Sequence, residues 1–283
     1  MSSVPLSCRI SGSLSRALHE RCQATGESVS HLVRAALADY LQLDHGTLFQ
    51  VSTAGALVEG LYRGEVTVAA LREHGDFGLG TFDGLDGEMV VVDGHFYQVR
   101  GDGTVREVED SARAPYAMIT RFPSGGAVNL PDCADLVGLH AQLDRLRDSQ
   151  NVFYAVRIDG EFDSVHTRSV RPTEEGVPLV AAASHQSEFR LRNVRGTLVG
   201  FWSPGYLQTI LVPGYHLHFL SDDRRAGGHL LGCAGRGLRA CVRREADFRL
   251  SLPESASFLH ADLTRDPSED LDQAEKAKQR EKK

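Results

Sequence analysis

Three histidines, His216, His218 and His229, fall within fourteen residues. The first two lie in Gly214-Tyr215-His216-Leu217-His218-Phe219, the third follows Gly227-Gly228. The apolar run Leu207 to Val212, bounded by Pro213-Gly214, reads as a strand and its end. Residues i and i+2 of a strand face one side. If the strand resumes after Gly214, His216 and His218 project together. Ser221-Asp222-Asp223 is turn-like, and Gly227-Gly228 lets the chain fold back to bring in His229. Three neutral imidazoles suit a first-row divalent metal, zinc before the others, with a fourth position open. A lone His-x-His in a strand is more often a solvated edge; the third histidine moves the reading to a metal site.

Other chemistry-bearing residues are weaker taken singly. Glu88 stands just before the apolar strand Met89 to Val92, at the end of the glycine- and acid-rich stretch Gly75–Glu88. That stretch is no phosphate loop, because it lacks Gly-Lys-Ser/Thr and carries acids where donors are needed. Glu88 alone reads equally well as a surface acid. His166 and Arg168 share one face of an expected strand, Phe162 to Val170, with Thr167 on the other. An arginine there is more often solvated. The four arginines between Gly232 and Phe248 have no interleaved aromatics and also read as a solvated face.

The elements that must position these residues mix strands and helices, with strands in excess, so the class is α+β. Residues 1–45 form a separate module. Leu6, Cys8 and Ile10 alternate with polar residues as a short strand. Ser11 or Ser13 caps a helix carrying Leu14, Ala17, Leu18 and Cys22, and Gly26 stops it. Ser28 or Ser30 caps a second helix bearing Leu32 to Leu41. From Leu48 a larger domain begins. A helix is expected over Thr53 to Tyr62 and a short element over Val66 to His74. Asp93-Gly94 is a hairpin turn between Met89–Val92 and Phe96–Val99, and Asp102-Gly103 another turn. Arg121 to Pro131 reads as loop. Asp135 to Asp148 is an amphipathic helix whose leucines are core. Further strands are expected at Phe153–Ile158, turning at Asp159-Gly160, then at Phe189–Val194, Thr197–Trp202 and Asp247–Leu252. In the charge-rich tail, Arg265 to Lys283, the last residues default to disorder, although Leu271, Ala274 and Ala277 give 269–278 a weak helical stripe.

The chain has 283 residues and a formal net charge of −7, so no global charge favours nucleic acid or anionic membrane. No apolar run approaches the ~18 residues of a membrane span, and the N-terminus lacks a secretory pattern. Five scattered cysteines without Cys-x-x-Cys fit a reducing cytoplasm.

Two resemblances add to this. Residues 4–43 resemble a ribbon-helix-helix module, which implies dimerisation by strand pairing and DNA contact through Ser7, Arg9 and the segment Ser28 to Ser30. Four arginines against four acids over residues 1–45 are a poor balance for phosphate; a module that only dimerises is the alternative.

From Leu48 to about Glu275, the ordered motifs are similar to alpha-acetolactate decarboxylase. They are Leu48-Phe49-Gln50-Val51-Ser52-Thr53, His74-Gly75-Asp76-Phe77-Gly78-Leu79-Gly80-Thr81-Phe82, Leu85-Asp86-Gly87-Glu88, Val156-Arg157-Ile158-Asp159-Gly160, Thr167-Arg168-Ser169-Val170 and the histidine cluster. The resemblance implies a mixed β-sheet domain over residues 46–276 and a charged tail over 277–283. It implies a cytoplasmic, homodimeric zinc lyase that converts 2-acetolactate to acetoin and CO2 in acetoin and butanediol biosynthesis. His216, His218 and His229 match the zinc ligands. Glu88 and Arg168 match the active-site glutamate and arginine, and Thr81 a nearby polar residue. Glu275, in the tail's Ala274-Glu275 pair, matches a second glutamate, which requires the tail to fold back over the metal. Hydroxyl and ketone oxygens of the substrate can chelate an open zinc, and loss of CO2 leaves an enediolate needing stabilisation and one proton. The rival readings are a ribbon-helix-helix DNA-binding regulator whose large domain senses a metabolite or metal, and a structural zinc protein. An open three-histidine site argues against the latter.

Overall fold

The computed structural model describes residues 6–41, 46–123 and 125–275. Contacts divide the chain into two compact units, Met1–His45 and Gly46–Lys283. In the first, helix α1 (Gly12–Thr25) starts at Ser11, whose Oγ accepts from the Leu14 amide at 3.2 Å, and ends at left-handed Gly26. Helix α2 (Val29–Leu41) follows. The strand expected around Leu6–Ile10 is absent: these residues run without ladder partners in the single chain. Strand geometry needs a neighbouring strand to take its N–H and C=O groups. Helix α1 has no buried residue, and Leu6, Ile10, Leu14, Val29, Leu37 and Tyr40 are exposed.

The second unit is built on two sheets. Its elements are β1 (Thr47–Val51), α3 (Ala54–Val58), β2 (Val66–Thr67), α4 (Val68–His74), β3 (Phe77–Thr81), β4 (Glu88–Val92) and β5 (His95–Val99). Then come β6 (Val105–Glu107), β7 (Arg113–Ala114), β8 (Tyr116–Thr120), β9 (Val128–Asn129), α5 (Leu136–Asp144), β10 (Phe153–Ser169), α6 (Leu179–Ala183) and β11 (Ser187–Ser203). Last are β12 (Gly214–Ser221), β13 (Gly227–Glu245), β14 (Asp247–Ser251), α7 (Ala256–His260) and α8 (Ser268–Glu275).

The first sheet has seven strands in the order β14-β1-β8-β3-β4-β5-β6. Its β4–β5 hairpin turns at Asp93 and Gly94, both at positive φ, as a two-residue type I′ turn requires. In the second sheet β10, β11, β12 and β13 pair in succession and β13 also pairs β10, so the four strands close on themselves. Phe162, Phe219, Leu198 and Leu238 fill the interior of that closure, and Leu139 and Leu143 of α5 join them. A second core lies between the sheets, where Leu79, Val90 and Met118 meet Phe153, Val199 and Phe201. The outer face of the first sheet is covered by Val68 and Leu71 of α4.

Several expected boundaries differ. Asp159-Gly160 is no turn: β10 runs through it, and the irregularity appears as register shifts against β13, one across Gly160 and two further along the strand. A bulge absorbs one residue without ending a strand. The two strands expected over 189–202 are likewise one, β11. Leu207 to Val212 is loop, because its carbonyls serve other partners. The Ile210 carbonyl accepts from the Ala54 amide and from Gln50 Nε2, both at 2.8 Å. The helix expected over Thr53–Tyr62 is the single short α3, and the loop expected at Arg121–Pro131 contains β9. The glycine-rich stretch holds β3, whose glycines permit tight strand contact: a Cβ on Gly78 would stand 2.1 Å from the Met118 carbonyl oxygen. No helix among the described residues is long and apolar enough to cross a membrane.

Candidate metal centre

Two short rows of side chains face each other across the gap between the sheets. On the first sheet, Thr81 of β3 stands opposite Glu88 of β4 and opposite Tyr116 of β8. Directly paired residues of antiparallel strands share a face, so Glu88, Thr81 and Tyr116 form one row. On the second sheet, His229 of β13 stands opposite Arg168 of β10 and His218 of β12. His216 lies two residues before His218, on the same face. Strand β12 therefore orients two histidines by its pleat, and β13 delivers the third by pairing. The chain enters that pairing through Gly228, where a Cβ would stand 2.4 Å from the Arg168 carbonyl oxygen.

His216, His218 and His229 are buried, and one ring nitrogen from each falls within 4.8 Å of the others. Their outer nitrogens fix the tautomers of two rings. His218 Nδ1 lies 2.8 Å from the Met89 carbonyl oxygen and donates to it, which leaves Nε2 as the lone-pair nitrogen. That Nε2 is buried and has no hydrogen-bond partner in the protein. His229 Nε2 donates to the Glu275 carbonyl at 3.1 Å, which leaves Nδ1 facing inward. Burial lowers the pKa of all three rings, well below the ordinary histidine range for His218 and His229, with Arg168 acting in the same direction. Neutral imidazoles with inward lone pairs and oriented outer N–H groups are what a metal site needs. The cluster can hold a metal ion.

Around it stand the other polar groups. Glu88 Oε2 is 3.6 Å from His218 Nε2. Burial raises the Glu88 carboxyl to about 7, the nearby Glu275 carboxylate adds to this, and Arg168 opposes it. Glu275 Oε2 lies 3.3 Å from His229 Nδ1, 3.7 Å from His216 Nε2 and 3.1 Å from Arg168 Nη2. The pair with Arg168 is an ion pair that lacks hydrogen-bond alignment, since the same oxygen has no hydrogen-bond partner. Arg168 is 3 % exposed and its Nη1 donates to Gln186 Oε1 at 2.9 Å. Thr81 Oγ1 donates to the Gly87 carbonyl at 2.7 Å, which closes the loop that leads into Glu88. Apolar walls come from Leu57, Leu85, Val170, Leu179, Val212 and Leu271.

All seven residues singled out in the sequence line this one pocket. Glu275 arrives on α8, which docks through buried Leu271 and Ala274. The segment therefore folds back at least to Glu275, against the compositional default; Ala277 lies outside the described residues. His166, read as sharing a face with Arg168, pairs instead with Glu188 at 2.9 Å and does not line the pocket. One polar residue of the pocket, Tyr116, was not anticipated, nor was Gln186, which holds Arg168 without lining the pocket itself. The signal for Tyr116 was the apolar run Tyr116 to Ile119 just after Pro115, which reads as a strand once paired with β3.

The fold and site together define a sheet-built α+β protein whose pocket joins three imidazoles, two carboxyl groups and a guanidinium, a set suited to lyase chemistry. The alpha-acetolactate decarboxylase family model matches residues 48–265. An alpha-acetolactate decarboxylase of Methanosarcina mazei is 42% identical over 251 residues, covering 88% of this chain and 86% of that protein. One from Methylococcus capsulatus is 42% identical over 233 residues, covering 82% of this chain and 89% of its own. The crystal structure of the Bacillus subtilis alpha-acetolactate decarboxylase superposes with a TM-score of 0.79 at 36% identity, covering 82% of this chain and all of that one. The chain belongs to the alpha-acetolactate decarboxylase family. It is a carboxy-lyase acting on acetolactate.

Proposed function

We propose that this chain forms acetoin and CO2 from 2-acetolactate as a zinc enzyme, in cytoplasmic acetoin and butanediol biosynthesis. The observation that carries the reading is the meeting of three neutral imidazoles with Glu88, Glu275 and Arg168 in one buried pocket. Zinc, held by His216, His218 and His229, would supply Lewis-acid stabilisation for the negative charge that develops on the substrate oxygens; other first-row divalent ions suit the same ligands. Arg168 holds the substrate carboxylate until the carbon–carbon bond breaks, since a buried guanidinium pairs strongly with a carboxylate. Loss of CO2 leaves an enediolate, and Glu88 gives it a proton. Burial raises that carboxyl to about 7, so a substantial share of it carries a proton near neutrality, where it is a competent acid. Glu275 orients Arg168 through its carboxylate and His229 through its backbone carbonyl. Thr81 sets the loop before Glu88. The apolar walls keep competing water away.

The test is acetoin formation from racemic acetolactate before and after dialysis against a chelator. Activity falls to background on chelation and returns with added zinc. Undiminished turnover in metal-free protein, verified by elemental analysis, would remove the metal from the reaction.

Residues 1–45 are read as a ribbon-helix-helix module that pairs two copies of the chain, with DNA as a further partner. The exposed apolar residues of both helices, and the lack of a ladder partner at Leu6–Ile10 within the single chain, support pairing. Retention of a specific duplex by the full-length protein, lost on removal of residues 1–45, would establish DNA as that second partner.

A further inference from the structure

Tyr116 carries a polar group that the fold leaves unused. Its ring belongs to the core between the sheets, packed with Leu48, Leu79 and Leu211, and the residue is 2 % exposed. Its hydroxyl is buried and has no hydrogen-bond partner in the protein. The residue lines the same pocket as the three histidines, beside Thr81 in the row that ends at Glu88. Native proteins satisfy nearly all buried donors, because an unmade bond forfeits the group's hydration without return. Phenylalanine would fill this core position equally well and carry no such penalty. The hydroxyl therefore faces a partner that arrives from the pocket.

We propose that Tyr116 is a substrate-binding residue whose hydroxyl donates a hydrogen bond to an oxygen of bound acetolactate. The phenol suits a donor role throughout the neutral range. Burial first, and the nearby Glu275 carboxylate second, push its pKa well above the ordinary tyrosine range, so the proton stays on. It differs from Arg168 in kind. Arg168 brings a charge that selects a carboxylate, whereas Tyr116 brings a neutral, single, directional donor. It stands on the opposite sheet from Arg168 and His229, in the row facing theirs. A hydroxy-keto acid, with oxygens on three adjacent carbons, offers acceptors to both sides at once. A simple carboxylate does not.

The test is Tyr116→Phe in the full-length, zinc-loaded enzyme, read by KM, kcat and thermal midpoint together. Loss of one hydrogen bond to substrate raises KM by about tenfold, with a smaller change in kcat. The thermal midpoint stays level or rises, because the variant removes a buried unsatisfied donor and keeps the ring. A role confined to packing, which phenylalanine also fills, predicts KM and kcat both unmoved. Unchanged KM in the variant, whatever its midpoint, overturns the proposal. So does a raised KM with a lowered midpoint that Tyr116→Leu reproduces without further loss of affinity. The inference rests on acetolactate as substrate. Were the wild type to form no acetoin, that reading would fall first, and an active wild type with an indifferent Phe variant sinks this proposal alone.

Discussion

Glu88 shows how burial sets the chemistry of a single side chain. It lies at the mouth of a strand whose following residues, Met89 to Val92, are all buried, so its carboxyl inherits a low-dielectric surrounding. Glu88→Gln keeps the shape and the metal but removes the transferable proton. Turnover falls by about 10²–10⁴, with metal content by elemental analysis unchanged; near-normal activity would exclude the assigned role. The same residue couples stability to pH. Its folded pKa, near 7, is raised above the ordinary value of 4.5. A proton held more tightly in the folded state adds stability that is full below the ordinary value and is lost as pH rises through about 7. In chelator-treated protein, denaturant midpoints of wild type and Glu88→Gln should therefore diverge between pH 5 and 8, with the variant the more stable at the upper end. Equal slopes would show that the carboxyl is not held protonated. At this scale the sequence was informative, because His216 and His218 sit at strand spacing and His229 follows a glycine pair. Tyr116 was not legible, since its role depends on which strand lies beside β3, and nothing local states that pairing.

Elements were legible where the chain's own chemistry ends them. The α1 caps, the Asp93-Gly94 hairpin and the Leu139 and Leu143 face of α5 all follow from local residues. Asp159-Gly160 misled because the same dipeptide serves a turn or a bulge, and only the partner strands decide. Leu207 to Val212 misled because an apolar run signals burial rather than a ladder. Helix α8 is the opposite case: a charge-rich segment becomes ordered because Leu271 and Ala274 find the apolar patch formed by Ala54, Val58, Leu179 and Ala183. Burying one leucine is worth roughly 1.5–3 kcal/mol, enough to seat so short a helix. Leu271→Asp should unseat it and withdraw Glu275 from Arg168 and His229. The expected result is a loss of kcat of about a hundredfold with only a small drop in thermal midpoint, measured by turnover and calorimetry on one preparation. A proportionate collapse of both would mean that α8 supports the fold rather than the site.

At the scale of the molecule, the two units divide by how they bury their apolar faces. Gly46–Lys283 has four cores of its own, whereas α1 buries nothing within the single chain. Removing residues 1–45 should leave kcat for acetolactate within about twofold, as surface changes remote from a core usually do. If the module pairs copies, the truncated protein has the smaller assembly by light scattering; an unchanged mass would refute pairing through it. The pocket itself is finished late. His229 waits on a backbone carbonyl 46 positions further along, and Arg168 on the carboxylate of that same residue. A ribosome that has already released the whole β-framework has thus still not made a working catalyst. Messages cut short between the end of β14 and Glu275 would encode every framework strand and all three histidines but not Glu275, and their product would compete for metal while turning over about a hundredfold more slowly.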